Sequence, residues 1–131
     1  MVEIIKFTVL GEPVAKGRPR ITRCGAYTPP KTVNYENLIK LSFQGEKLTG
    51  QLKMTVVAYF AIPNSISKKK RLQMVSGEIR PTKKPDGDNV LKIICDALNT
   101  IAYDDDKQVV DMAISKFYSD EPRVEVEIEE L

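Results

Sequence analysis

The chain has 131 residues, 42% of them hydrophobic and 29% charged, which suits one globular domain with a real hydrophobic core. It contains no histidine, which excludes Ser-His-Asp and Cys-His catalysis, imidazole bases and His-ligated metal centres. The net charge of +2 conceals a division: residues 1–84 carry 16 Lys and Arg against 5 Asp and Glu, a balance of +11, whereas residues 85–131 carry 4 against 13, a balance of −9.

That segregation points to a polyanion as partner of the first part, with the second holding cations or facing solvent. A dipole without a purpose is the plain alternative. Cys24 and Cys95 have no CxxC spacing, so they read as reduced thiols rather than a disulfide or a zinc site. No run approaches the roughly 18 apolar residues of a membrane span, and MVEIIKFTVL is too short and mixed for a signal peptide. The expectation is a cytoplasmic protein.

In chain order, Ile5, Phe7 and Val9 alternate with Lys6 and Thr8, predicting a half-buried strand over 4–10. The Gly-, Pro- and Arg-rich GEPVAKGRPRITRCGAYTPP predicts a long loop with an extended piece near Ile21 to Tyr27. Val33, Leu38, Leu41 and Leu48 predict a helix from Lys31 to Leu48, opened by Pro29-Pro30. Leu52, Met54, Val56, Ala58 and Phe60 share one face of a strand over 52–60. SKKKRLQMV predicts a short basic helix capped by Ser67.

The Pro-punctuated RPTKKPDG leads to residues 88–99, where Leu91, Ile94, Cys95 and Leu98 recur at i, i+3, i+4 and i+7. This is an amphipathic helix, and Asp88, Lys92 and Asp96 form a stripe on another face. After the turn YDDDKQ, residues 109–118 and 123–131 read as a hairpin around SDEPR. The whole predicts a single α+β domain spanning 1–131, with a mixed or antiparallel sheet and helices packed on one side.

Two acidic points could carry chemistry. PDGDN is good turn and helix-start chemistry in its own right. It is not an EF-hand, because Val90 and Leu91 stand where that loop needs a ligand and a glycine. The run Asp104, Asp105 and Asp106 can be a solvated turn, yet three adjacent carboxylates repel unless neutralised. If the fold returns this run to Asp86 and Asp88, the group offers only hard oxygen ligands, the preference of Mg²⁺ or Mn²⁺. Such a metal would activate water and neutralise a phosphodiester. Lys92, one turn after Asp88, could then stabilise the transition state, although an ordinary i, i+4 ion pair also accounts for it.

Around these lie basic segments: Lys16, Arg18, Arg20 and Arg23, then Lys68, Lys69, Lys70 and Arg71, then Arg80, Lys83 and Lys84. Phosphate contacts by such residues would give salt-sensitive affinity for nucleic acid, while for KKKR alone a solvated helix face is the simpler reading. Tyr27 and Tyr35 could stack on bases, with core packing the simpler reading.

KPDGDNVLKIICDALNTIAYDDDKQVVD closely resembles the signature of the RusA-like endodeoxyribonucleases, Holliday junction resolvases of bacteria and their prophages. The resemblance is strongest over 81–118, through D-x-D-N-x-x-K, DALN and D-D-x-Q-V, and GEPVAKGRPR is similar to the opening of phage-type members. It implies that Asp86, Asp88 and Asp106 are catalytic, metal-binding carboxylates, with Asp105 in reserve, and that Lys92 is the essential lysine. Asp96 and Gln108 match further motif positions. It also implies a Mg²⁺ (or Mn²⁺) cofactor, no organic cofactor, branched DNA as substrate, a location with the nucleoid, and a homodimer that nicks two symmetric strands of a four-way junction. A nucleic-acid-binding module with acidic helix caps, or a small-molecule phosphohydrolase, would be the alternatives.

Overall fold

The structure is a computed structural model that describes residues 3–17 and 20–131, and of Arg20 the backbone only. A four-stranded sheet is built from β1 (Ile4–Leu10), β4 (Leu52–Ala61), β5 (Val109–Ser119) and β6 (Arg123–Glu130), in the order β1-β6-β4-β5. β2 (Arg20–Thr22) and β3 (Gly25–Tyr27) form a separate small ribbon. The helices are α1 (Pro30–Ser42), α2 (Lys68–Val75) and α3 (Gly87–Leu98). The architecture is α+β around one continuous core.

β6 pairs antiparallel with both β1 and β4, whereas β4 and β5 run parallel. A parallel pair cannot be closed by a tight turn, and the segment carrying α2 and α3 supplies the crossover. The alternation of β4 is obeyed: Leu52, Met54, Val56, Ala58 and Phe60 are buried. Facing them from α3 are Val90, Ile93, Ile94, Cys95, Ala97 and Leu98. Each aliphatic side chain so buried contributes about 1.5–3 kcal/mol of transfer free energy. α1 packs on α3 and β1, and α2 lies along the edge strand β5.

Three expectations from sequence are corrected. The last two strands do not form a hairpin, because β4 lies between them and pairs with both. A short linker and good alternation suited a hairpin, but among the described residues β5 pairs with β4 alone. α1 ends at Ser42, short of Leu48, which is buried beyond the helix and donates its N–H to the Ala102 carbonyl at 2.7 Å. The phase of α1 also differs: Thr32, Tyr35 and Ile39 face inward, while Val33, Leu38 and Leu41 are exposed. A wide mixture of apolar positions left that helix without one clear stripe, and packing against α3 settled its rotation.

Candidate active site

The first acidic point opens α3. Asp86 stands at its N-cap in an extended conformation, yet its side chain makes no capping hydrogen bond. Its carboxylate is therefore not consumed by the usual helix-start role. Gly87 comes next for a packing reason: a Cβ there would lie 3.2 Å from Cγ2 of Ile114 on β5. The close approach sets the start of α3 against the sheet edge. Asp88, Lys92 and Asp96 then follow on one face and line a hollow of about 350 Å³.

The second acidic point reaches the same hollow. Residues 106–108 form a single 3₁₀ turn ahead of β5, and its hydrogen bonds give the three aspartates different tasks. Asp104 is exposed and pairs with Lys47 at 2.9 Å. Asp105 caps the turn, accepting from the Lys107 N–H, while the Gln108 side chain accepts from the Asp105 N–H. That cap, with its backbone donor, holds the Asp105 carboxyl below the usual carboxylate range. Asp106 turns inward and lines the hollow with Asp88, Lys92 and Asp96.

Asn99, just beyond α3, accepts from the Asp106 N–H at 2.8 Å and so ties the two acidic points together. Partial burial pushes the Asp106 carboxyl above its ordinary value, helped by neighbouring Asp105 and Asp96 and opposed by a hydrogen bond from Asn99. A register shift where Leu52 and Lys53 of β4 meet β5 follows at once, leaving Val110 as the extra residue. Bulges of this kind re-aim side chains beside functional sites, and here Met112 ends up against the hollow.

Asp86 stands apart from this group. It lines an adjacent hollow of about 740 Å³ with Lys84, Pro85 and Asn89. Among the described residues, no group of three or more His, Cys, Asp or Glu is gathered as a metal-holding cluster. What the structure brings together is Asp88 and Asp106, two hard-oxygen donors that share one hollow. That donor set fits Mg²⁺, which commonly takes one or two carboxylates and keeps water and phosphate as its other ligands.

Lys92 is held loosely, 3.7 Å from Asp96 with 63% of its side chain exposed. Asp96 is held more firmly from elsewhere. Lys16 Nζ lies 3.3 Å from Asp96 and 3.0 Å from Glu36 of α1, with all three side chains largely covered. Burial pulls the Lys16 pKa down, but hydrogen bonds and charge from Glu36 and Asp96 outweigh it and leave the ammonium favoured. Neither this network nor the Asn99 bond can be read from the sequence. DALN and GEPVAKGRPR read there as motif pieces, and only folding shows what they touch.

The profile of endodeoxyribonuclease RusA matches residues 11–129, from the loop after β1 to the end of β6. The chain belongs to the RusA endodeoxyribonuclease family. It is also 44% identical over 140 aligned positions to a Bacillus subtilis (strain 168) protein named uncharacterized protein YqaN, covering 99% of both chains.

The basic segments of this RusA-family chain meet different fates. α2 carries Lys68, Lys69, Lys70 and Arg71 in exposed positions, with Ser67 accepting the Lys70 N–H as cap and Arg71 paired with Asp120. Arg23 is exposed in the turn between β2 and β3. Arg18, and the side chain of Arg20, lie outside the described residues. Tyr27 is exposed, whereas Tyr35 is buried.

The linker before Asp86 is clamped to β5 by side chains. Arg80 Nε donates to the Lys116 carbonyl at 2.8 Å, and Lys116 Nζ returns a bond to the Lys83 carbonyl at 2.7 Å. Arg80 also lies 4.1 Å over Phe117, and Lys116 lies 5.0 Å over Phe60. Lys116 is a site-supporting residue that sequence reasoning missed, since a lone lysine in a strand gives no signal. Among the described residues, no helix is long and apolar enough to cross a membrane.

Proposed function

We propose that this protein is a divalent-metal-dependent, structure-selective endodeoxyribonuclease that resolves four-way DNA junctions. The observation that carries this reading is the meeting of Asp88 and Lys92 from the first half of α3 with Asp106 from the 3₁₀ turn that follows it, all lining one hollow. Asp88 and Asp106 would hold Mg²⁺ or Mn²⁺, with Asp86 beside them at the helix start and Asp105 in reserve. The bound ion would supply an activated water and neutralise charge on the phosphodiester.

The protein's own groups do the rest. Lys92 stabilises charge that develops on the phosphate oxygens, its exposed ammonium free to move onto substrate. Asp96 restrains it, and Lys16 restrains Asp96. The basic surface of α2, with Arg23, Arg80, Lys83 and Lys84, provides salt-sensitive affinity for the DNA backbone, and Arg18 and Arg20 belong to the same segment as Arg23. A pair of chains would present two such sites, one for each of two symmetric strands, and would work in the cytoplasm at the nucleoid.

The alternative of a binding module whose acids merely cap helices is weakened by Asp86, which stands at a cap position without making the capping bond. The test is cleavage of a synthetic four-way junction across a Mg²⁺ titration, comparing the wild type with Asp88→Asn. Metal-dependent nicks on symmetric strands, lost in the variant, are expected. No nicking by either protein, or turnover of nucleotides in place of DNA, would remove the junction-nuclease reading.

A further inference from the structure

Apart from Asp86 and Lys84 at its rim, the hollow beside Asp86 has no part in the chemistry assigned above. The apolar part of its wall is made by Pro13 and Val14 from the loop after β1, Pro29 from the start of α1, and Pro85. Two backbone bonds fix the loop that forms one side. Lys16 N–H donates to the Asn89 carbonyl at 3.1 Å, and Gly17 N–H donates to Thr32 Oγ1 at 3.1 Å. Gly17 is needed for this, since a Cβ would stand 2.6 Å from that hydroxyl oxygen. Thr32 itself is buried, at 2% exposure.

The chemistry of the lining narrows the occupant. Lys31 and Lys84 bring two ammonium groups against the single carboxylate of Asp86, so the site favours an anion. Asn89 offers an amide with both donor and acceptor. The volume of about 740 Å³ falls in the range of roughly 300–1,000 Å³ typical of small-molecule sites. A flat apolar ring, an attached phosphate and a polar ring edge would all be matched.

Its position supplies the rest. Asp86 and Asp88 flank Gly87 and line the two neighbouring hollows. For a strand whose phosphate lay against Asp88, Lys92 and Asp106, the larger hollow would be the neighbouring recess past Asp86. Branched DNA offers bases at reduced unstacking cost, and enzymes that accept an extruded base draw selectivity from that difference. We propose that this hollow receives one unstacked nucleotide adjacent to the scissile phosphate, its base between the prolines and its phosphate at Lys31 and Lys84. The inference rests on the nuclease reading and adds a nucleotide subsite to it.

Junctions carrying 2-aminopurine on either side of the mapped cut, titrated with the protein in EDTA, test this. Among the described residues no aromatic side chain lines the hollow, so the extruded base should stay unquenched and its emission should rise several-fold at one position only. Ala15→Leu, which fills the hollow, should abolish the rise. Lys31→Ala, on the exposed surface of α1, should move the half-saturation of the rise further than that of overall junction binding. Emission unchanged at both positions, while the same junctions are cut once Mg²⁺ is added, would overturn the subsite and leave the nuclease intact. A rise that persists in Ala15→Leu, or equal shifts in Lys31→Ala, would overturn it too. Absence of any cutting would remove both readings.

Discussion

Lys16 and Asp96 meet at 3.3 Å and join the loop after β1 to the last turn of α3. The pair settles how much of Asp96 is left for Lys92, which stands 3.7 Å from the same oxygen. With Glu36 on its other side, Lys16 is already matched by two carboxylates, which would compete with a DNA phosphate for its charge. Lys16→Met should therefore release Asp96 to grip Lys92 and slow cleavage by a factor of about ten, equivalent to roughly 1.4 kcal/mol. Junction affinity and its salt dependence should hardly move. A direct phosphate contact would instead show as weaker binding and a salt slope shallower by about one. Single-turnover cleavage measured beside a salt series separates the two.

Lys92 tests the chemistry itself. Its ammonium is mostly exposed and its ion pair with Asp96 is long, so its contribution to stability is small, on the order of tenths of a kcal/mol. Lys92→Ala should leave the melting temperature and junction affinity nearly unchanged. Cleavage should fall by about 10²–10³, as when one preorganised charge-stabilising group is removed from a transition state. Equal losses in affinity and rate would reassign Lys92 to binding.

Much of this fold could be read from periodicity, where burial alone decides the pattern. The alternation in β4 and the i, i+3, i+4, i+7 run in α3 each point to a single face, and both faces lie in the core. Where apolar residues spread round a helix, as in α1, the sequence does not choose a rotation, and contact with α3 and β1 does. Strand order is a property of the whole sheet, so the local hairpin signal between β5 and β6 had no means of showing that β4 would enter between them. The candidate site divides in the same way. Asp88, Lys92 and Asp106 were legible as motif positions, whereas the partners of Asp106 and Asp96 depend on side chains that meet only after folding.

The α2 surface should act through charge alone. Lys68, Lys69 and Lys70 make no ion pair among the described residues, and Arg71 has Asp120 beside it. Replacing all four by Ala should weaken binding to every DNA of a given length alike. The salt slope should become shallower by about 0.9 for each phosphate that the variant no longer neutralises. Fluorescence anisotropy across a salt series reads this directly. An unchanged slope would place the DNA on another face.

Lys116 offers the sharpest test of how the acidic start of α3 is held. No backbone–backbone hydrogen bond anchors residues 80–85 among those described, so the attachment to β5 depends on the reciprocal bonds between Arg80, Lys116 and Lys83. The Lys116 stem also covers Phe60, which confuses a simple truncation. Lys116→Met keeps the apolar stem and removes only the ammonium, so the loss should be about 1 kcal/mol of stability, near the mean for one hydrogen bond. Cleavage should fall further than that loss explains, because a linker freed at Lys83 no longer holds Lys84 and Asp86 in register with Asp88. Lys116→Arg retains a donor of similar reach and should restore most of the rate. If Lys116→Met cuts junctions as fast as the wild type while hydrogen exchange in residues 80–86 rises, the linker's order is irrelevant to the chemistry. If neither changes, the clamp carries no weight in holding the site.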